Sequence, residues 1–251
     1  MPINKWRPNH KCYYVVSSIH GNYDSLEIIK TRLFPLRTHK NQEDKIIFMG
    51  NYIGQHELSF YVVESLLNID NAVFIKGKNE CDFLNALTNQ ESYNQWLQSG
   101  GLSVATNYLK AQNYNESPIH LPLSRFKSFI PEAHLNFFKN CKSYYKDGNY
   151  LFLHGGFNYL LPFVEADNEN YCKDTSLLFE ALKTKSLNLK DDLFVITGIN
   201  NKNEPILLDN FLNLSSKDIN EIYVFDLHSL ECTRIKDGKE NLYKYPISYY
   251  Q

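Results

Sequence analysis

The chain has 251 residues, enough for one large domain with a substantial core. Its 43% hydrophobic and 22% charged residues are ordinary for a folded globular protein, and a net charge of −2 supplies no basic surplus for nucleic acid or an anionic membrane. No apolar run approaches the roughly 20 residues of a membrane span.

Met1 to Pro8 carries no apolar stretch of the export type, so a cytoplasmic protein is expected. Cys12, Cys81, Cys141, Cys172 and Cys232 are scattered and include no C-x-x-C pair. That spacing indicates neither a zinc ribbon nor a disulfide framework, and the thiols are expected to be reduced and mostly buried.

In chain order, the apolar run Tyr13 to Val16 predicts a buried strand. It stops at Ser17-Ser18-Ile19-His20-Gly21-Asn22, a turn presenting His20, before the amphipathic run Leu26, Ile28, Ile29, Leu33. Arg37 to Asp44 is polar and reads as a loop. Lys45 to Met49 predicts a second strand, turning at Gly50-Asn51-Tyr52-Ile53-Gly54 into a helix from Leu58 to Ile69. A third strand, Ala72 to Ile75, ends in Gly77-Lys78-Asn79-Glu80 and leads into a helix near Asp82 to Leu87. Alternating strands and helices predict parallel pairing in this half.

Residues from about 91 to 142 read as mainly helical, with Trp96, Leu97, Leu102, Val104, Tyr108 and Leu109 facing inward around Gly100-Gly101. Asp147-Gly148-Asn149 between Ser143–Lys146 and Tyr150–Leu153 predicts a hairpin whose second strand delivers His154-Gly155-Gly156. A helix around Asp174 to Lys185 precedes a strand from Leu193 to Ile196 that ends at Thr197-Gly198-Ile199-Asn200. Short strands are predicted at Pro205–Leu208, Glu221–Asp226 and Glu231–Ile235, and residues 241–251 read as a tail. Every turn named here follows a strand, and in α/β proteins ligands gather at such carboxyl ends.

The order of these turns resembles the calcineurin-like metallophosphoesterases, and within them the serine/threonine protein phosphatase branch. That family carries G-D-x-H-G, G-D-x-x-D-R-G, G-N-H-E, H-G-G or H-A-G, and G-H. The corresponding segments are Ser17 to Gly21, Gly50 to His56, Gly77 to Glu80, His154 to Gly156, and Gly198-Ile199. Trp96 through Tyr108, with its double glycine, is similar to a helix of bacterial members. The resemblance implies a single α/β domain over 1–251, a sandwich of two mixed sheets flanked by helices, with the stretch 91–142 as a helical insertion.

The resemblance also implies six metal-ligand positions, occupied here by Ser18, His20, Asn51, Lys78, His154 and Ile199. Only the two histidines keep the family's residue. The family's proton donor corresponds to Asn79, its supporting aspartate to Gly54, and its phosphate-gripping arginine to Gln55. Hard and borderline cations are held mainly by carboxylates and imidazoles, and no carboxylate remains at a ligand position. The expectation is no cofactor, or at most one weakly held manganese, zinc or iron ion on His20 and His154. Lys78, His20 and His154 could instead bind an anion. A closed-up pocket, with Lys78 filling the vacated metal space against Asn51, Asn79 or Ser18, is the leading expectation.

The implied function is that of a non-catalytic binding or regulatory protein, with a protein, a phosphopeptide or a small anion such as phosphate as partner, and neither nucleic acid nor membrane. The alternative is an active metal-dependent phosphoesterase with an atypical or single-metal site. Hydrolysis by Ser18 and His20 with Asp24 or Glu80 ranks far below both. His39 and His56 read as solvated. Tyr243, Tyr245, Tyr249, Tyr250 and the loop Tyr114 to Leu123 could form an interaction surface.

Overall fold

A computed structural model of the chain describes residues 12–33, 44–158, 161–166, 168–173, 175–184, 192–199, 205–208, 210–214, 218–236, 239–245 and 248–249. Residues 37–43 of the first polar loop, with His39, lie outside them, as do Asn200 and Tyr250.

The first sheet begins with β1 (Tyr13–Val16), β2 (Lys45–Phe48) and β3 (Ala72–Phe74), all parallel. On the other side of β1 lie β9 (Glu221–Asp226), β10 (Glu231–Lys236) and β11 (Lys239–Tyr245), each antiparallel to its neighbour. The second sheet contains β4 (Tyr144–Asp147), β5 (Tyr150–Leu153), β6 (Phe194–Thr197), β7 (Ile206–Leu208), β8 (Phe211–Asn213) and β12 (Ser248–Tyr249). Its order is β12-β7-β8-β6-β5-β4, six strands as in the first sheet. The hairpin expected at Asp147 is present, with Asp147 opposite Tyr150.

The sheets stack face to face, and period-two alternation explains why their strands read as continuous apolar runs. Tyr13, Val15, Ile47 and Met49 point inward to meet Phe152, Phe194, Ile196 and Leu212 of the second sheet. Val16, Ile46 and Phe48 point outward under a helical layer. Leu151, Leu153 and Val195 point to the far side, against Phe157, Tyr171 and Ala181. Both faces of the central strands of each sheet are therefore buried.

The outer helices are α1 (Tyr23–Ile28), α2 (Ser59–Leu66), α3 (Lys78–Ala86), α4 (Gln90–Trp96), α5 (Leu102–Ala111), α6 (Leu123–Lys127) and α7 (Glu132–Asn140). The helix α8 (Ser176–Thr184) lies near the second sheet's outer face, where its Ala181 is buried. Asn22 caps α1 by accepting from the Ser25 amide, and Asn89 caps α4 by accepting from Ser92. The double glycine between α4 and α5 has a packing cause: a Cβ on Gly101 would stand 2.2 Å from the Trp96 indole. Inside this layer the buried His134 ring bonds Tyr108 Oη at 2.9 Å through Nδ1 and Glu64 Oε1 at 2.7 Å through Nε2, tying α7 to α5 and α2.

Three expectations change. Residues 241–251, read as a tail, include most of β11 and all of β12, and Phe211–Asn213 forms a strand that its three-residue length hid. Cys81 and Cys172, expected as thiols, are joined in a disulfide, whereas Cys12, Cys141 and Cys232 form none. His56, expected to be solvated, is half-buried and its Nε2 bonds the Ile219 carbonyl at 3.0 Å.

Candidate functional site

The turns after β1, β2, β3, β5 and β6 converge on one rim, as their positions at strand ends dictate. The β2 turn is the centre. Asn51 sits there in the left-handed region with φ 52°, a conformation asparagine tolerates better than most residues. Its carbonyl accepts from the amides of Ile19 (3.1 Å) and His20 (2.8 Å), which locks the β1 turn beside it.

Glu80 fixes the other side of that turn. Its carboxylate is fully buried and accepts from the backbone amides of Asn51 (2.7 Å), Tyr52 (2.8 Å), Ile53 (3.3 Å) and Gly77 (2.9 Å). Burial pushes its carboxyl up to about 7, against the pull of those four donors toward the ionised form. The third residue of α3 thus reaches back to the amide before the helix, a glutamate-at-N3 arrangement. Gly77 is required by contact: a Cβ there would lie 2.2 Å from the Asn51 amide nitrogen.

The histidines face the inside of this cage. His154 Nδ1 lies 2.5 Å from the Met49 carbonyl, so Nδ1 carries the proton and donates. Burial lowers its pKa to about 4, the Met49 bond opposes that, and the Lys78 charge adds to the lowering. His20 is also left-handed, φ 54°, and burial with the neighbouring His154 and His56 brings it to about 4. Its Nδ1 is 3.4 Å from Asn79 Nδ2, and its buried Nε2 has no hydrogen-bond partner among the described residues. Both rings are neutral at pH 7.

The other positions divide into those brought to the site and those turned away. Asn79 Nδ2 donates to the Ile53 carbonyl at 2.7 Å, and its amide donates to Asn51 Oδ1 at 3.0 Å. Ser18 is buried with its hydroxyl donating to the Gly198 carbonyl at 3.5 Å, and no hydrogen bond joins it to His20. Glu80 is spent on backbone amides and Asp24 is exposed, so no acid orients a Ser18–His20 pair. Ile199 packs in the apolar cluster beyond the second sheet. Gly54 lies against His20, where a Cβ would stand 3.0 Å from the ring, and Gln55 is exposed.

Lys78 overturns its expectation. Its side chain is 60% exposed and donates to Asp82, which also pairs with Lys173 at 3.5 Å. At the first position of a helix, its side chain runs along the helix surface to the residue one turn on. It does not fill the space between the histidines, and Asn51 Oδ1 is bonded by the Asn79 amide instead.

A two-metal centre does not fit these residues. Asn51 Oδ1 is engaged, Ile199 is in the core, Lys78 points outward, and among the described residues no carboxylate faces the histidines. No cluster of three or more histidine, cysteine, aspartate or glutamate side chains suited to a metal exists among the described residues. Sequence reasoning named the rim turns correctly but missed the role of Glu80. The signal was present in the Gly77-to-Glu80 spacing.

No protein-family model and no curated protein matches the chain. Solved structures do. A protein assigned as a diadenosine tetraphosphatase superposes with a TM-score of 0.59 at 14% identity, over 92% of this chain and 95% of its own. A cold-active protein-tyrosine phosphatase of a psychrophilic Shewanella species gives 0.55 at 12% identity, over 95% and 83%. A protein serine/threonine phosphatase from Saccharomyces cerevisiae gives 0.50 at 10% identity, over 89% and 78%. With its two stacked mixed sheets, its helical layers and its rim of strand-end turns, the chain shares the fold of these phosphatases.

Proposed function

We propose that this chain is a non-catalytic member of the phosphatase-like group, using the fold to bind rather than to hydrolyse. One observation carries the reading: apart from Lys78, which is turned outward to Asp82, the polar groups at the ligand positions are uncharged and mostly committed to the protein's own backbone, and both histidines are held neutral by burial. Two divalent ions need anionic donors to offset their charge, and this interior supplies none. The partner is a protein or phosphopeptide, or a small anion such as phosphate at the rim, where the exposed Lys78 supplies positive charge. A cytoplasmic setting belongs to the same proposal: Cys12, Cys141 and Cys232 form no disulfide, although the Cys81–Cys172 bond weighs against a reducing compartment.

The test is metal analysis for manganese, zinc and iron on purified protein, with hydrolysis of an aryl phosphate in the presence of each ion. The expected result is substoichiometric metal and no turnover above buffer. Stoichiometric metal with sustained turnover would favour the second reading, an active phosphoesterase with an atypical or single-metal site. The buried, unpartnered Nε2 of His20 is the observation on that side.

A further inference from the structure

The Cys81–Cys172 bond joins the two halves of the rim. Cys81 lies on α3 directly after Glu80, whose carboxylate holds the Asn51 turn. Cys172 closes the short helical turn Glu169–Cys172, and the carbonyl of its neighbour Tyr171 accepts from the Gly155 amide at 2.6 Å. One cysteine is therefore one residue from the group that fixes the first sheet's rim turn. The other is one residue from the group that fixes the His154-Gly155 turn of the second sheet. The two are 91 residues apart in sequence.

We propose that this pair is an oxidation site, a reversible disulfide that latches the segment 155–173 onto α3 and so sets the mobility of the His154 turn. One ion pair also spans the two segments beside the bond. Lys173, next to Cys172, pairs with Asp82, next to Cys81, at 3.5 Å.

The chemistry balances with a small-molecule disulfide as oxidant. The Cys81 thiolate attacks one sulfur of glutathione disulfide, forms a mixed disulfide and releases one glutathione. The Cys172 thiolate then attacks the Cys81 sulfur and expels the second glutathione. Both protons end on the released thiols, and two electrons pass from the cysteines to the oxidant. Excess reduced glutathione drives the reverse.

The experiment equilibrates the full chain in glutathione buffers of graded oxidation, quenches with a maleimide and maps peptides by mass spectrometry. In parallel, hydrogen exchange is followed over 154–172. Oxidising buffers should yield a Cys81–Cys172 cross-linked peptide with Cys12, Cys141 and Cys232 still alkylatable after denaturation. Reduction should abolish it and speed exchange over 154–172 by about tenfold or more, as expected when a local opening is released. Cys172→Ser should exchange like the reduced wild type in every buffer. Five alkylatable thiols at all ratios would overturn the proposal. So would a cross-link that leaves exchange over 154–172 unchanged. The wild-type titration needs no variant to fold, and neither readout depends on whether the rim binds or hydrolyses phosphate.

Discussion

The two sides of the Asn51 turn differ in kind. Behind it, Glu80 is a buried carboxylate with four backbone donors, Gly77 leaves no room for a Cβ, and the geometry is fully committed. In front of it, two neutral imidazoles, a hydroxyl and two carboxamides line the rim, and His20 Nε2 bonds nothing among the described residues. The residues that shape a strand-end turn are separable from those that would do chemistry on it. The first set does not depend on the second, because the turn is held by backbone amides on a carboxylate that faces away from the rim.

The largest test is Glu80→Gln. An amide in that cage puts a donor against backbone donors and orphans about two of them at about 1–3 kcal/mol each. The melting temperature should then fall by roughly 5–20 °C, taking roughly 2–4 °C per kcal/mol for a chain of this size. An unshifted melt would mean that the back of the turn is not held as described. Gly77→Ala comes next: a methyl driven into the Asn51 amide should cost about 1–3 kcal/mol, read in the same thermal melts.

Acid sharpens the contrast further. His20 and His154 titrate at about 4 when folded, below the ordinary 6.5. The unfolded chain therefore takes up these protons first, so their contribution is complete above pH 6.5 and is lost as pH falls toward 4. Glu80, raised to about 7 from 4.5, runs the other way: its contribution declines as pH rises from 4.5 to 7. His20→Gln should flatten the acid side of a stability-against-pH profile. Parallel wild-type and variant profiles would contradict the neutral, buried imidazole.

Restoring charge to the front is a smaller and more specific test. Ser18→Asp, Asn51→Asp and Lys78→Asn together should bring measurable divalent-metal uptake by calorimetry. They should bring little phosphate-ester turnover, since Asn79, Gly54 and Gln55 still supply neither proton donor nor phosphate clamp. Brisk hydrolysis would show that the remaining positions matter less than argued. The smallest effect belongs to Lys78→Met. Its ammonium is in a surface ion pair, worth about 0–1 kcal/mol, so the melting temperature should hardly move.

The rim was legible because glycine, asparagine or histidine follows the apolar runs of β1, β2, β3, β5 and β6, a local signal independent of which ligands the turns carry. The strands facing both layers were legible for the same reason, as continuous apolar stretches. Lys78 was misread because family position says where a backbone sits and not where a long, flexible side chain goes. Asp82, one turn along the helix, captured it. The Cys81–Cys172 contact was invisible because nothing local links positions 91 residues apart. β11 was missed because its polar residues, Lys239, Glu240, Asn241 and Lys244, break the apolar pattern expected of a strand.

β1 lies inside its sheet, with β2 on one side and β9 on the other, where Tyr14 stands opposite Asp226. During synthesis the ribosome must therefore release everything between β1 and β9 before β1 can complete its pairing. Until then β1 presents an apolar edge of unpaired amides and carbonyls, the kind of edge that recruits other chains. Truncations ending before Glu221 should accordingly accumulate as aggregates, and holding the nascent chain apart from its neighbours becomes part of what this topology demands of the cell.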